Sequence, residues 1–171
     1  MLNGEVQGSL PVFERALPLP EARFNRAVAL LKLAKYAEAS AEFEKIYADP
    51  KSSLRASAAY HDALALDALG KPNDAITWFS RALEADPKFD SALLYLGVIR
   101  ERLGDLQGAG KAYKQFLERH PESVVAMLRF GVAAQRAGRP DAARKYFEKI
   151  IAAAPSSAEA TEARMYLEMW E

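Results

Sequence analysis

The apolar positions of the chain recur at helical spacing, and no stretch shows the strict alternation of a half-buried strand. Between residues 53 and 69, Tyr60, Ala63, Leu64 and Leu66 fall within one side of a 3.6-residue period. The pattern predicts a helix from Ser53 or Leu54 to Leu69, ended by Gly70 as a left-handed C-terminal residue. Pro72 suits the first turn of the next helix, where its missing N–H would have no partner anyway, and Pro140 repeats the device. That second helix is expected to reach about Ala85, where Asp86 and Pro87 stop it. Asp90, Ser123 and Ser157 stand where N-capping side chains belong for the helices that follow.

The two-helix unit recurs with a fixed period. Gly70, Gly104 and Gly138 are 34 residues apart, as are Ala75, Ala109 and Ala143, and Pro87, Pro121 and Pro155. The aromatic series Phe79, Tyr113, Phe147 and the small-residue series Ala63, Gly97, Gly131 keep the same step. Such a period marks an architecture in which each unit buries its apolar side against its neighbours.

These residues resemble the tetratricopeptide repeat: a small residue in the first helix, then a turn glycine, an alanine, an aromatic and a closing proline. Regular units occupy 56–89, 90–123 and 124–157. An earlier one covers 20–53 through Ala27, Ala39, Phe43, Ile46 and Pro50, with Ala34 in place of the turn glycine. Upstream, Gly4, Val6, Ser9, Phe13, Ala16 and Leu17 fit the turn and second helix of a partial repeat over 1–19, which Pro11 is expected to shorten. Residues 158–171 fit a capping helix. The resemblance implies an all-α fold, a right-handed α-solenoid of stacked antiparallel helix pairs in one continuous domain. A chain that opens inside a repeat leaves two readings open, a fragment of a longer solenoid or a half-repeat acting as a cap.

Departures from the family pattern carry their own expectations. Its large first-helix aromatic is replaced by Arg23, Ala59, Leu93 and Met127, and the leucine three residues on by Arg26, Asp62, Leu96 and Phe130. Arg26 and Asp62, at one position in consecutive units, are expected to face each other as a partly buried ion pair. The rival reading is that register or exposure makes them unrelated.

The resemblance also implies that first helices line a concave surface. The residues it turns inward are Phe24, Val28 and Leu31; Tyr60, Leu64 and Asp67; Leu94, Val98 and Glu101; and Leu128, Val132 and Gln135, with Tyr95 flanking. Val28, Leu64, Val98 and Val132 stand where family members that clamp a chaperone's C-terminal carboxylate carry asparagine. A carboxylate clamp is therefore not expected. The row suits an apolar peptide or an amphipathic helix of another protein. Burial against neighbouring helices is the competing explanation of the same residues.

Composition narrows the alternatives. The 171 residues carry 23 basic and 23 acidic side chains, a formal charge of zero, which disfavours a phosphate-backbone partner and, with it, an RNA-binding repeat. With no cysteine there is neither a disulfide nor a thiolate site, and no apolar run reaches the roughly 18 to 20 residues of a membrane span. A retained signal peptide is not visible, so a cytoplasmic location is expected, although a processed exported form would read the same. His61 and His120 lack ligand spacing, so no metal or other cofactor is expected. Gly104, Gly108, Gly110 and Lys111 imitate a phosphate loop but fail at Asp105 and Ala112, which leaves Gly108 and Gly110 as softened helix or close packing. No catalytic constellation stands out. Mixed charges at Glu42, Glu44, Lys45, Arg144, Lys145, Glu148 and Lys149 read as a solvated face of second helices, and Trp78 and Trp170 as packing residues. The expected function is a non-enzymatic protein-interaction scaffold, with self-association through the chain ends as the alternative.

Overall fold

A computed structural model describes residues 2–15 and 19–169, the side chains of 2–5 and 13–15 excepted. Among these residues the chain forms ten helices and no strand: α1 (Leu2–Arg15), α2 (Pro20–Lys32), α3 (Tyr36–Ala48), α4 (Arg55–Ala68), α5 (Pro72–Ala85), α6 (Asp90–Arg102), α7 (Leu106–Arg119), α8 (Val124–Arg136), α9 (Pro140–Ala153) and α10 (Ala158–Glu168). The fold is all-α. Contacts divide the chain into two units, residues 1–92 and 93–171, with the boundary inside α6.

Four turns share one geometry. Gly70, Gly104 and Gly138 adopt φ of 74°, 83° and 71°, and Ala34 takes the same left-handed role at 58°. The next residue then donates back across the turn: Lys35 to Leu30, Lys71 to Leu66, Asp105 to Arg100 and Arg139 to Ala134, each at 2.9 Å. These bonds satisfy carbonyls that the helix end would otherwise strand. Alanine pays for the left-handed turn with roughly 1 to 2 kcal/mol that glycine avoids.

The recurring aromatics fill the space inside the hairpins. Phe43, Phe79, Tyr113 and Phe147 are all 0% exposed. Gly97 and Gly131 admit two of these rings, because a Cβ on Gly97 would overlap Tyr113 and one on Gly131 would stand 2.5 Å from Phe147 Cε1. Gly131→Ala should therefore destabilise unit 2 by about 1 to 3 kcal/mol despite alanine's higher helix propensity. Urea unfolding of the variant against the parent measures it.

In the first unit α1 packs on α2, α2 on α3, α3 on α4 and α4 on α5. Its core includes Ala27, Leu30, Phe43, Ile46 and Ala58. The second unit buries Tyr113, Met127, Phe130, Phe147 and Ile150, and α10 closes it against both α8 and α9.

Several expectations need correction. α1 continues through Gly4 and Pro11, since its packing on α2 offsets the one helical bond that proline removes. Ala16, Leu17 and Trp170, and the side chain of Phe13, lie outside the described residues. Asp90 is the first residue of α6 itself. Ser123 and Ser157 do cap, accepting from Ala126 N at 3.4 Å and Ala160 N at 3.0 Å. A cap not anticipated is Asp105, which accepts from Gly108 N at 2.9 Å; a Cβ on Gly108 would strike the Asp105 carboxylate.

Arg26 and Asp62 do not pair as expected. Arg26 reaches Glu42 at 3.6 Å, and Glu42 also meets Arg23 at 4.0 Å and Lys45 at 2.9 Å. Glu42 is thus a half-buried hub rather than part of a solvated face. Asp62 is 0% exposed, and neither of its carboxylate oxygens has a hydrogen-bond partner.

Candidate binding surface

The inward positions read from the sequence occupy first helices in both units, and the structure grades them. In the first unit Phe24, Val28, Leu31, Tyr60, Leu64 and Asp67 are half-buried. Their two aromatic members are tied into a ring cluster: Phe24 meets Phe43 and His61 at 5.7 and 5.2 Å, and Tyr60 meets Phe79 and Phe89 at 5.7 and 5.2 Å. His61 belongs to that packing, with Nδ1 2.8 Å from the Ser57 carbonyl, which requires the proton on Nδ1. Burial lowers its pKa, and the Ser57 contact opposes the shift. Trp78 is buried at α5, its ring 5.1 Å from Tyr47 of α3 and under the Arg81 guanidinium at 4.4 Å.

In the second unit Leu94, Val98, Leu128 and Val132 lie half-buried over the core, Gln135 is half-buried, and Tyr95 is 41% exposed. The aliphatic row therefore keeps one side in the packing and one side in water. Neither a fully exposed groove nor plain core describes it.

Glu101 has partners that its spacing does not announce. It is 7% exposed and accepts the Tyr113 hydroxyl at 2.8 Å, while Arg136 and Arg129 approach at 3.2 and 3.9 Å. The Tyr113 ring inserted over Gly97 brings a phenol into the interior, where it requires an acceptor. Burial first, then the bond to Glu101, raise the phenol pKa well above its usual range. The sequence held no local sign of this network, because Tyr113 and Arg136 are 12 and 35 residues from Glu101.

Beside Glu101 the second unit holds a pocket of about 410 Å³. Val125, Leu128 and Val132 of α8 form its apolar part, Arg129 stands with Glu101, and α10 contributes Ala158, Glu159, Glu162 and Tyr166. The Tyr166 ring is stacked on Phe147 with 5.1 Å between centroids and 7° between planes.

The tetratricopeptide repeat model matches residues 60–124, 102–158 and 128–166, more than half of the chain. The chain belongs to the tetratricopeptide repeat family. Similar solved structures include MamA, at 22% identity and a TM-score of 0.78 over 91% of this chain and 86% of that one. YrrB, a tetratricopeptide repeat protein with an unusual peptide-binding site, shares 21% identity and a TM-score of 0.77 over 95% and 84%. PilW, a type IV pilus biogenesis factor, shares 26% identity and a TM-score of 0.78 over 88% and 71%. No curated protein matches by sequence. At the level of the family, this tetratricopeptide repeat chain is a protein-interaction scaffold of stacked helix pairs. No helix among its described residues is long and apolar enough to cross a membrane.

Proposed function

We propose that the chain is a non-enzymatic scaffold whose first helices hold a peptide or amphipathic helix of another protein. The observation that carries this reading is the half-buried aliphatic residue that recurs in the first helices of each unit, Val28 and Leu64 in the first and Val98 and Val132 in the second. Such side chains are fixed from below by the core and still offer apolar surface above, as pockets for alternate or helically spaced anchors do. The peptide-binding site of YrrB supports a peptide as the class of occupant. Aliphatic residues in place of the clamp asparagine point to apolar anchors in preference to a terminal carboxylate.

Leu64→Glu combined with Val98→Glu should abolish capture of the partner from native extract, each change weakening binding by about 1 to 3 kcal/mol. The far-UV circular dichroism spectrum should remain that of the parent. Retained capture by the folded double variant removes the groove reading, and loss of the helical spectrum assigns the row to the core instead.

A further inference from the structure

Resting on that reading, we propose that the pocket of the second unit selects a partner segment carrying a lysine or arginine beside an aliphatic side chain. The apolar half of the argument is the α8 surface, where Val125 is 47% exposed and Leu128 and Val132 stand half-buried beside it. At about 410 Å³ the pocket lies within the usual range for a bound group.

The charged half comes from which carboxylates are already answered. Glu101 has two arginines and a phenol. Arg129, which lines the pocket, and Arg136 are thereby engaged with Glu101. Glu159 and Glu162 line the pocket from α10, and the side chain of neither forms an ion pair or hydrogen bond with any described residue. A carboxylate at Glu159 is accounted for by the start of α10, where the helix dipole favours negative charge. Glu162, almost a turn later and facing the same pocket, is not.

Tyr166 lines the pocket from α10 as well, one turn beyond Glu162. Burial, then Glu162 and Glu101, hold its ionisation above the usual range against the opposing effect of Arg136 and Arg129. The field at the phenol is thus weighted towards negative charge. A long basic side chain matches both halves at once, its methylene stem on Leu128 and Val132 and its cationic head at Glu159 and Glu162. An acidic segment would meet uncompensated like charge on entry.

Short random segments displayed on phage, selected on the full chain and on a Glu159→Gln/Glu162→Gln variant, test the proposal. Selection on the parent should enrich lysine or arginine next to leucine, isoleucine or valine. A synthetic peptide from that pool should bind about ten-fold tighter than its copy with glutamine in place of the basic residues. The preference should vanish on the variant and shrink as salt is raised. The same basic preference on the folded variant overturns the proposal, as does enrichment of aliphatic segments with no basic residue, which leaves the groove reading standing. A library that enriches nothing on the parent removes both.

Discussion

Replacing Asp62 with leucine should stabilise the first unit at pH 8 by about 2 kcal/mol, because a buried charge without a partner is worse than a well-packed apolar residue. Asp62 on α4 is 0% exposed and faces Ser40 and Glu44 of α3 and Arg81 of α5. Burial, with a further contribution from the Glu44 charge, pushes its carboxyl from the ordinary 3.8 up to about 7. Ser40 and Arg81 oppose the shift, but neither closes a hydrogen bond on either oxygen.

The folded value is the higher one, so the folded chain keeps a proton between about pH 4 and 7 that the unfolded chain has released. Stability from this group is complete below the unfolded value and is lost as pH rises through about 7. An upper bound on the loss is about 4 kcal/mol, at 1.36 kcal/mol for each pH unit between the two values. Asp62→Asn keeps the shape and removes the titration, so it should flatten the slope between pH 5 and 8 even if leucine overfills the site. His61 contributes its own pH dependence, with the opposite sign, to parent and variant alike, and the difference between them isolates Asp62. Urea unfolding followed by Trp78 fluorescence, in a Trp170→Phe background, reads the first unit. Equal pH slopes in parent and Asp62→Asn would refute the assignment.

What was legible in the sequence was whatever depends on residues close together or on the period itself. The left-handed turn at Ala34 could be read because glycine stands at the equivalent place in the next three units, and its φ of 58° follows theirs. Phe43, Phe79, Tyr113 and Phe147 were legible as core because each recurs at one place in the unit, as do the small residues of the first helices. Pro72 and Pro140 open their helices as anticipated.

The errors fall where a polar side chain is assigned its partner. Arg26 and Asp62 share a repeat position, yet α3 stands between α2 and α4, giving Arg26 an ion pair with Glu42 and setting the like charge of Glu44 near Asp62. Periodicity alone treats them as neighbours and overlooks the helix between. For Glu101 the spacing along α6 gives its place beside the pocket but not its partners, which come from α7 and α8. The aliphatic members escaped this error because their environment is set by the helix face and needs no specific partner.

The second large effect concerns α10. Deleting residues 158–171 should expose the end of the second unit and drive the protein to aggregate, whereas deleting 1–17 should leave both units folded. α10 lays Ala160 and Ala163, each 0% exposed, and the Tyr166 ring on α8 and α9. Without it Phe147 loses its stacking partner and the cluster that buries Phe147 and Ile150 loses Ala160 and Ala163, at roughly 1.5 to 3 kcal/mol for each large side chain fully uncovered. The deletion also removes Met165 and Met169, which are 62% and 73% exposed, so the surface does not simply lose a protective polar cap. What it gains is a contiguous apolar face in place of two separate exposed methionines, and contiguity is what promotes association. α1 is the contrast: it packs on α2 and contributes Leu10 to the edge of the first core, while Leu30 of α2, Phe43 and Ile46 of α3 and Ala58 of α4 pack together within it. Light scattering and sedimentation of the two truncations measure the difference. A soluble, cooperatively unfolding monomer after loss of 158–171 would show that the second unit is complete without α10.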